Sequence, residues 1–265
     1  MAVSTAVILA AGRGMRLGDD FRERPKGFIP CQGVTLVERS LLILRSCGIS
    51  RAIIVTGHCA DFYDALAQSS GGFLATRFNP RYADNGSLVS LAVALDAVDE
   101  PFLLLDSDIA YERRGLEALL AAPMDNAALV SGTTDSGDEY YSWADRRPGL
   151  PLPAVRRLSK RLSDEADPPL GEHVGILKIG RDLAARIRAA APARVKSEPM
   201  SFYEDCLVEQ LPDCPMGALH LPDLVWCEVD DQRMLERARS LFFPRLEPLE
   251  VIRRHARAPS AAAKA

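Results

Sequence analysis

The run Val7-Ile8-Leu9-Ala10-Ala11-Gly12-Arg13-Gly14-Met15-Arg16-Leu17 constrains this chain more than any other stretch. An apolar segment that stops abruptly at small residues and glycines predicts a buried strand feeding a loop whose backbone can approach a ligand closely. Phosphate suits such a loop. Bare amide N–H groups donate without side-chain bulk, and Arg16 together with Lys26 of Arg24-Pro25-Lys26 supplies positive charge. An ordinary strand-to-helix turn would need neither cation. Two better-known glycine loops are excluded: no Gly-Lys-Ser/Thr tripeptide closes a Walker A loop after Gly12, and Leu17 stands where a dinucleotide fingerprint needs glycine.

The chain has 265 residues, 48% hydrophobic and 26% charged, enough for one large core in one domain. A net charge of -4 argues against a general nucleic-acid surface while leaving room for a local basic pocket. The six cysteines, Cys31, Cys47, Cys59, Cys206, Cys214 and Cys227, form no C-x-x-C pair and do not cluster with the four histidines, so reduced, mostly buried thiols are expected rather than zinc. No basic leader is expected ahead of the first strand, and no apolar run reaches the ~18 residues of a membrane span. A cytoplasmic protein without membrane or nucleic-acid partners is therefore expected.

Polar residues 19–23 suit either a lid over the loop or a solvated turn. Thr35 to Cys47 carries Leu36, Val37, Leu41, Leu42 and Leu44 at helical spacing, with Thr35 and Glu38 as a capping box and Gly48 as a stop. A strand over Arg51 to Gly57, a helix over Asp61 to Ser69 and a strand over Phe73 to Phe78 follow. This alternation predicts a parallel, doubly wound sheet with ligands beyond the carboxyl ends of its strands. Asn85, Gly86 and Ser87 precede a helix read over Ser90 to Ala97, where free N–H groups and short polar side chains should face outward.

Pro101 to Leu105 is a central buried strand that delivers Asp106-Ser107-Asp108 to the sheet edge, a hard-oxygen arrangement suited to magnesium. Leu224 to Asp231 is another apolar strand ending in acids, with Asp231 as N-cap of a helical run over Gln232 to Leu241. Between them lie a strand over Asn126 to Thr133, an irregular excursion over Asp135 to Asp145, a basic hairpin over Leu152 to Ser163 and a returning strand over Gly171 to Ile179. The excursion is rich in acids and aromatics (Asp138, Glu139, Tyr140, Tyr141, Trp143), and the same chemistry recurs as Phe202-Tyr203-Glu204-Asp205 at the head of a Ser201 to Leu211 helix. Ring faces with a carboxylate are what an ammonium group requires, although ordinary packing would also explain the rings. Pro244 to His255 reads as a short edge element or helix, and Ala256 to Ala265 as a disordered tail.

Leu9 to Leu17 with Pro25-Lys26 resembles the signature of the sugar-1-phosphate and phosphocholine cytidylyltransferase superfamily, nucleotidyltransferases that join a nucleoside triphosphate to a phosphorylated acceptor. The resemblance implies a single α/β domain over 1–245, with a Rossmann-like, doubly wound mixed sheet of GT-A-like type and a small acceptor lobe within about 134–215. Residues 246–265 would be a partly disordered extension. It further implies Mg²⁺, release of pyrophosphate, and CTP with phosphocholine or 2-aminoethylphosphonate as the substrates. Leu9, Ala10, Ala11, Gly12, Gly14, Asn85, Ser87 and Asp106 would bind the nucleotide; Gly86-Ser87 stands where the family carries paired asparagines. Arg16 and Lys26 would clamp phosphates, and Asp108 with Asp230 of the late Glu-x-Asp would hold the metal. Glu139, Tyr141, Trp143, Glu204 and Asp205 would bind the acceptor. Three alternatives stay open: a sugar-1-phosphate nucleotidyltransferase, a metal-dependent glycosyltransferase using Asp-x-Asp, and a non-catalytic nucleotide-binding module.

Overall fold

The structure is a computed structural model that describes residues 3–18 and 23–257. Its strands are β1 (Thr5–Ala10), β2 (Pro30–Cys31), β3 (Val34–Thr35), β4 (Arg51–Thr56), β5 (Leu74–Phe78), β6 (Phe102–Asp106), β7 (Ile109–Tyr111), β8 (Ala127–Ser131), β9 (Tyr141–Asp145), β10 (Ala154–Ser159), β11 (Gly171–Ile179), β12 (Gly217–Leu221) and β13 (Trp226–Glu228). Its α-helices are α1 (Leu36–Ser46), α2 (Ala60–Ser69), α3 (Ser87–Leu95), α4 (Arg113–Ala121), α5 (Arg181–Ser197), α6 (Tyr203–Gln210), α7 (Gln232–Arg237) and α8 (Leu249–Arg257). Among the described residues one nine-stranded sheet, in the order β5-β4-β1-β6-β11-β8-β12-β10-β9, forms the middle layer.

β1 is buried along its whole length and pairs in parallel with β4 and β6, which is why it reads as a continuous apolar run. Successive side chains point to opposite faces. Val7 and Leu9 meet Ile53, Val55, Phe102 and Leu104 under α3, α5 and α6, whereas Ala6, Ile8 and Ala10 join Ile54, Leu103 and Leu105 under α1, α4 and α8. At α1 the expected capping box is present: Thr35 Oγ1 accepts from the Glu38 amide (3.3 Å) and Glu38 Oε2 accepts from the Thr35 amide (2.8 Å). Gly48 ends that helix at φ +85°.

Several expectations need correction. The sheet is mixed, as the resemblance implied, rather than parallel throughout as the alternation of strands and helices suggested, because β11 runs antiparallel between β6 and β8. Residues 135–145 are not wholly irregular: β9 pairs antiparallel with β10, and Arg156 of the basic segment is tied to Asp145, Glu165 and Asp167. α3 begins at Ser87, three residues before the expected start. The 17-residue α5 was not expected, although Leu183, Ile187, Ala191 and Val195 recur every four residues and are its buried face. The strand β12 was likewise not expected. The C-terminal extension is helical as α8 through Arg257 and packs Leu249 and Ile252 into the core, so Ala256 and Arg257 belong to a helix, not a tail. Of the expected lid, residues 19–22 lie outside the described residues, as do 258–265 of the tail.

A two-stranded ribbon joins two sequence-distant groups of acids. β7 and β13 pair antiparallel with Ile109 opposite Glu228, and the Val229 amide donates to the Asp108 carbonyl (2.9 Å). The ribbon thereby carries the acids at the end of β13 to those at the end of β6. Ala110, Val225, Cys227 and Val229 pack beneath it against Leu235 and Phe243.

The capping box stabilises α1 locally and lies outside the ribbon. Thr35→Ala is expected to lower unfolding stability by about 1 kcal/mol, seen as a lower urea midpoint at unchanged slope.

Candidate active site

β1 ends at Ala10 and the chain turns through Gly14 (φ +61°) into a short 3-10 turn at Met15–Leu17. The loop borders a cavity of about 500 Å³ whose other walls come from the ends of β6 and β13, the start of α3, and the segment entering α6. Leu9, Ala10, Ala11, Gly12, Gly14, Arg16, Lys26, Asn85, Ser87, Asp106, Asp108, Glu204 and Asp230 all line it. Residues picked from six separate stretches of sequence therefore share one hollow.

Carboxylate oxygens of Asp108, Glu228 and Asp230 lie within 4.8 Å of one another. Lys26 Nζ donates to Asp108 Oδ2 (3.1 Å) and to Asp230 Oδ1. Arg16 spans two acids, donating from Nη2 to Asp230 Oδ2 (2.6 Å) and from Nη1 to Asp138 Oδ2 (2.9 Å). Burial opposes the Lys26 charge, but Asp108 and Asp230 outweigh it and raise its pKa, so the ammonium stays charged. Glu228 is pushed well above the usual carboxylate range by burial and by its two acidic neighbours. Three hard oxygen donors this close, with more negative charge than Lys26 alone offsets, fit a divalent cation such as Mg²⁺. Glu228 was not singled out from sequence, though it stands two residues before Asp230, as Asp106 stands before Asp108.

Asp106 does not join that trio. Its Oδ2 accepts from the Tyr203 hydroxyl (3.2 Å) and faces Gly175, whose φ of +74° would put an added Cβ 2.5 Å away. Burial pushes the Asp106 carboxyl well above its usual range, with Glu204 and Asp108 acting the same way. Burial likewise pushes Glu204 up to about 7 and His173 down to about 4, so His173 is a neutral imidazole in the cavity wall.

The start of α3 also differs from expectation. Two of its amides are taken: Gly86 N–H donates to the Pro199 carbonyl (3.0 Å) and Leu88 N–H to the Ser201 carbonyl (3.3 Å), while Ser87 Oγ accepts from the Tyr203 amide (3.0 Å). The Asn85 side chain is held by Arg81 through bonds of 3.1 and 3.2 Å. A Cβ on Gly86 would come within 2.2 Å of the Ser201 carbonyl oxygen, which is why only glycine lets the 199–203 segment close against this helix.

Four expected acceptor residues are not brought to the cavity. Tyr141 and Trp143 share a face of β9, with ring centres 6.1 Å apart, and Trp143 is buried with its indole N–H on the Asp167 carbonyl (2.9 Å). Tyr140 lines the cavity instead. One residue of strand parity separates the two outcomes. Glu139 accepts from the Gly137 amide (3.0 Å) and the Tyr141 hydroxyl (3.3 Å), and Asp205 turns back onto the Phe202 amide (3.2 Å) as a helix cap. Glu204 does line the cavity, together with Tyr203, His173 and Lys160, which sequence reasoning had not selected for the site.

A model of the MobA-like NTP transferase domain matches residues 6–211. The chain belongs to the MobA-like NTP transferase family. It is 32% identical over 128 residues to the CMP-5'-(3-aminopropyl)phosphonate synthase of Streptomyces rubellomurinus, covering 48% of this chain and 20% of that protein. It is 30% identical over 108 residues to the choline-phosphate cytidylyltransferase of Haemophilus influenzae, covering 41% and 45%. The aligned stretches thus span less than half the length of these curated relatives. Among solved structures, the CTP:phosphocholine cytidylyltransferase of Streptococcus pneumoniae superposes with a TM-score of 0.71 at 17% identity, over 91% of this chain and 99% of that one. The inositol-1-phosphate CTP transferase of T. maritima gives 0.69 at 16%, over 91% and 98%. These structures share the mixed-sheet α/β fold. In this MobA-like chain Asp108 falls inside the matched region, whereas Glu228 and Asp230 fall beyond it. No helix among the described residues is long and apolar enough to cross a membrane.

The Gly175–Asp106 contact leaves no room for a methyl group. Gly175→Ala is expected to cost about 1–3 kcal/mol, read as a lowered urea midpoint, with Tyr203 losing its bond to Asp106 as the carboxylate is displaced.

Proposed function

We propose that this chain transfers a cytidylyl group from CTP to a small acceptor carrying a phosphate or phosphonate and a cationic amine, with Mg²⁺ as cofactor and pyrophosphate as the leaving product. The observation that carries this proposal is the convergence of Asp108, Glu228 and Asp230 with Lys26 and Arg16 beside the glycine loop. Similarity to the Streptomyces phosphonate synthase and the Haemophilus cytidylyltransferase supports CTP and an amine-bearing acceptor. The glycine loop with Pro25-Lys26 favours nucleotidyl transfer over glycosyl transfer, and the acids at 108 and 230 favour it over a non-catalytic module.

In this mechanism the backbone amides of Gly12 to Gly14 receive phosphate oxygens where no side chain intervenes. Arg16 and Lys26, both held in their charged forms, exchange carboxylate partners for phosphate oxygens of the incoming nucleotide. Asp108, Glu228 and Asp230 would hold the Mg²⁺, which supplies charge neutralisation to the triphosphate. An acceptor phosphate oxygen then attacks the α-phosphorus in line. The new P–O bond forms as the bond from the α-phosphorus to the α–β bridging oxygen breaks, and pyrophosphate departs with that electron pair. A phosphate monoester, with a second pKa of about 6, is already ionised near neutral pH, so no general base is required. Positioning and electrostatic stabilisation then account for catalysis.

Screening the four nucleoside triphosphates against phosphocholine, 2-aminoethylphosphonate and glucose 1-phosphate, with pyrophosphate as readout, tests this directly. CTP with an amine-bearing acceptor is the expected pair. Turnover confined to glucose 1-phosphate would replace the acceptor class, and no pyrophosphate from any pair would remove the enzymatic assignment. Asp108→Asn, Glu228→Gln and Asp230→Asn should each lower kcat/KM by about 100-fold or more, and chelation should stop turnover until Mg²⁺ is restored. Full activity in EDTA would eliminate the metal role.

A further inference from the structure

Of the ten residues in α2 only Tyr63 is buried, and it is fully so. Its ring stands edge-on to Phe28 with centres 5.2 Å apart, and the residue reaches the cavity wall between two turns of the backbone. One is the 3-10 turn Lys26–Phe28; the other is Ser107-Asp108, the link from β6 to β7. A Cβ added to Gly27 would lie 2.7 Å from the Tyr63 hydroxyl oxygen and 3.4 Å from the Ser107 carbonyl oxygen, so the two turns and the hydroxyl meet at one point. The Gly27 backbone and the Ser107 side chain both lie within hydrogen-bonding reach of that hydroxyl. Each of these residues is next in sequence to a partner in the 3.1 Å contact between Lys26 and Asp108.

A phenylalanine would make the same apolar contact with Phe28, so the hydroxyl is what this position adds. We infer that Tyr63 is a positioning residue, whose hydroxyl holds the Lys26 turn against the Asp108 turn when substrate draws the two side chains apart. This role rests on the transfer reaction proposed above, in which Lys26 leaves Asp108 for a phosphate oxygen. Once that ion pair opens, the two turns lose a direct side-chain link between them, and the brace through Tyr63 stays, buried from water. The Lys26 stem also passes the glycine loop, since a Cβ added to Gly14 would lie 3.1 Å from Lys26 Cγ. A shift of the turn therefore moves the ammonium along the phosphate site, where a displacement of about 1 Å can cost on the order of 100-fold.

The test reads binding apart from turnover: the nucleoside triphosphate that the wild-type protein prefers, CTP on the reading above, is titrated with Mg²⁺ into the protein in a calorimeter without acceptor. Tyr63→Phe, which keeps the ring against Phe28, should weaken nucleotide binding about tenfold or more and lower kcat, with the acceptor KM within about twofold of wild type. Added to Lys26→Ala, which has no ammonium to place, the same substitution should change the nucleotide dissociation constant by less than about twofold. A purely structural defect would carry its full factor into both backgrounds. Wild-type binding by Tyr63→Phe overturns the inference and leaves nucleotidyl transfer standing. Equal weakening with and without Lys26 does the same. A wild-type protein that binds none of the four nucleoside triphosphates and releases no pyrophosphate with any acceptor removes the transfer proposal together with the role of Tyr63.

Discussion

Lys26 sits between carboxylates delivered by two strands that are distant in sequence, and the candidate site depends on that meeting. The ribbon of β7 and β13 forces Asp108, Glu228 and Asp230 together; their repulsion would push the ribbon apart if no cation stood among them. Lys26 provides the cation from the far side, beyond the glycine loop. Arg16 extends the arrangement from Asp230 to Asp138, and Lys160 continues it. One chain of alternating charge thus joins the glycine loop, the ribbon and the segment before β9. The apolar cluster beneath the ribbon supplies the counterforce, since Val229 and Cys227 are buried against Leu235 and Phe243.

The end of β6 divides the cavity chemically. Asp106 and Asp108 are two residues apart, yet the strand stops between them, so they do not share surroundings. Asp106 stays in the sheet under Gly175 and beside Tyr203, where burial disfavours its charge. Asp108 leaves the sheet and meets Lys26 and the late acids. A single strand end therefore presents one carboxylate matched to a cation held by the protein and another that burial disfavours from ionising and that a tyrosine hydroxyl pairs.

Much of the candidate site was legible because phosphate and cation chemistry imposes local patterns. A glycine loop after an apolar strand, a nearby lysine, and acids at the ends of two strands can each be read in a short window. The cavity wall opposite the glycine loop was less legible because its residues are chosen by packing. Tyr140 rather than Tyr141 reaches the cavity because of where β9 begins to pair with β10 and β11. Asp205 is diverted into capping α6 while its neighbour Glu204 is not. At the start of α3 the Gly86 and Leu88 amides are taken by carbonyls of a segment more than a hundred residues later. The helix α5 did show an apolar period of four, but its many arginines and alanines, with Pro192 inside, obscured it.

By itself the sequence determined the alternation of strands and helices, the phosphate-suited loop, and the supply of acids at strand ends, since backbone propensity, side-chain period and glycine conformations act within a few residues. Only the tertiary structure decided which acids share a cation, which way β11 runs, and which aromatic ring borders the cavity. Those outcomes depend on charge repulsion, register and close backbone approach between segments far apart in the chain, and such energies exist only once the segments have met.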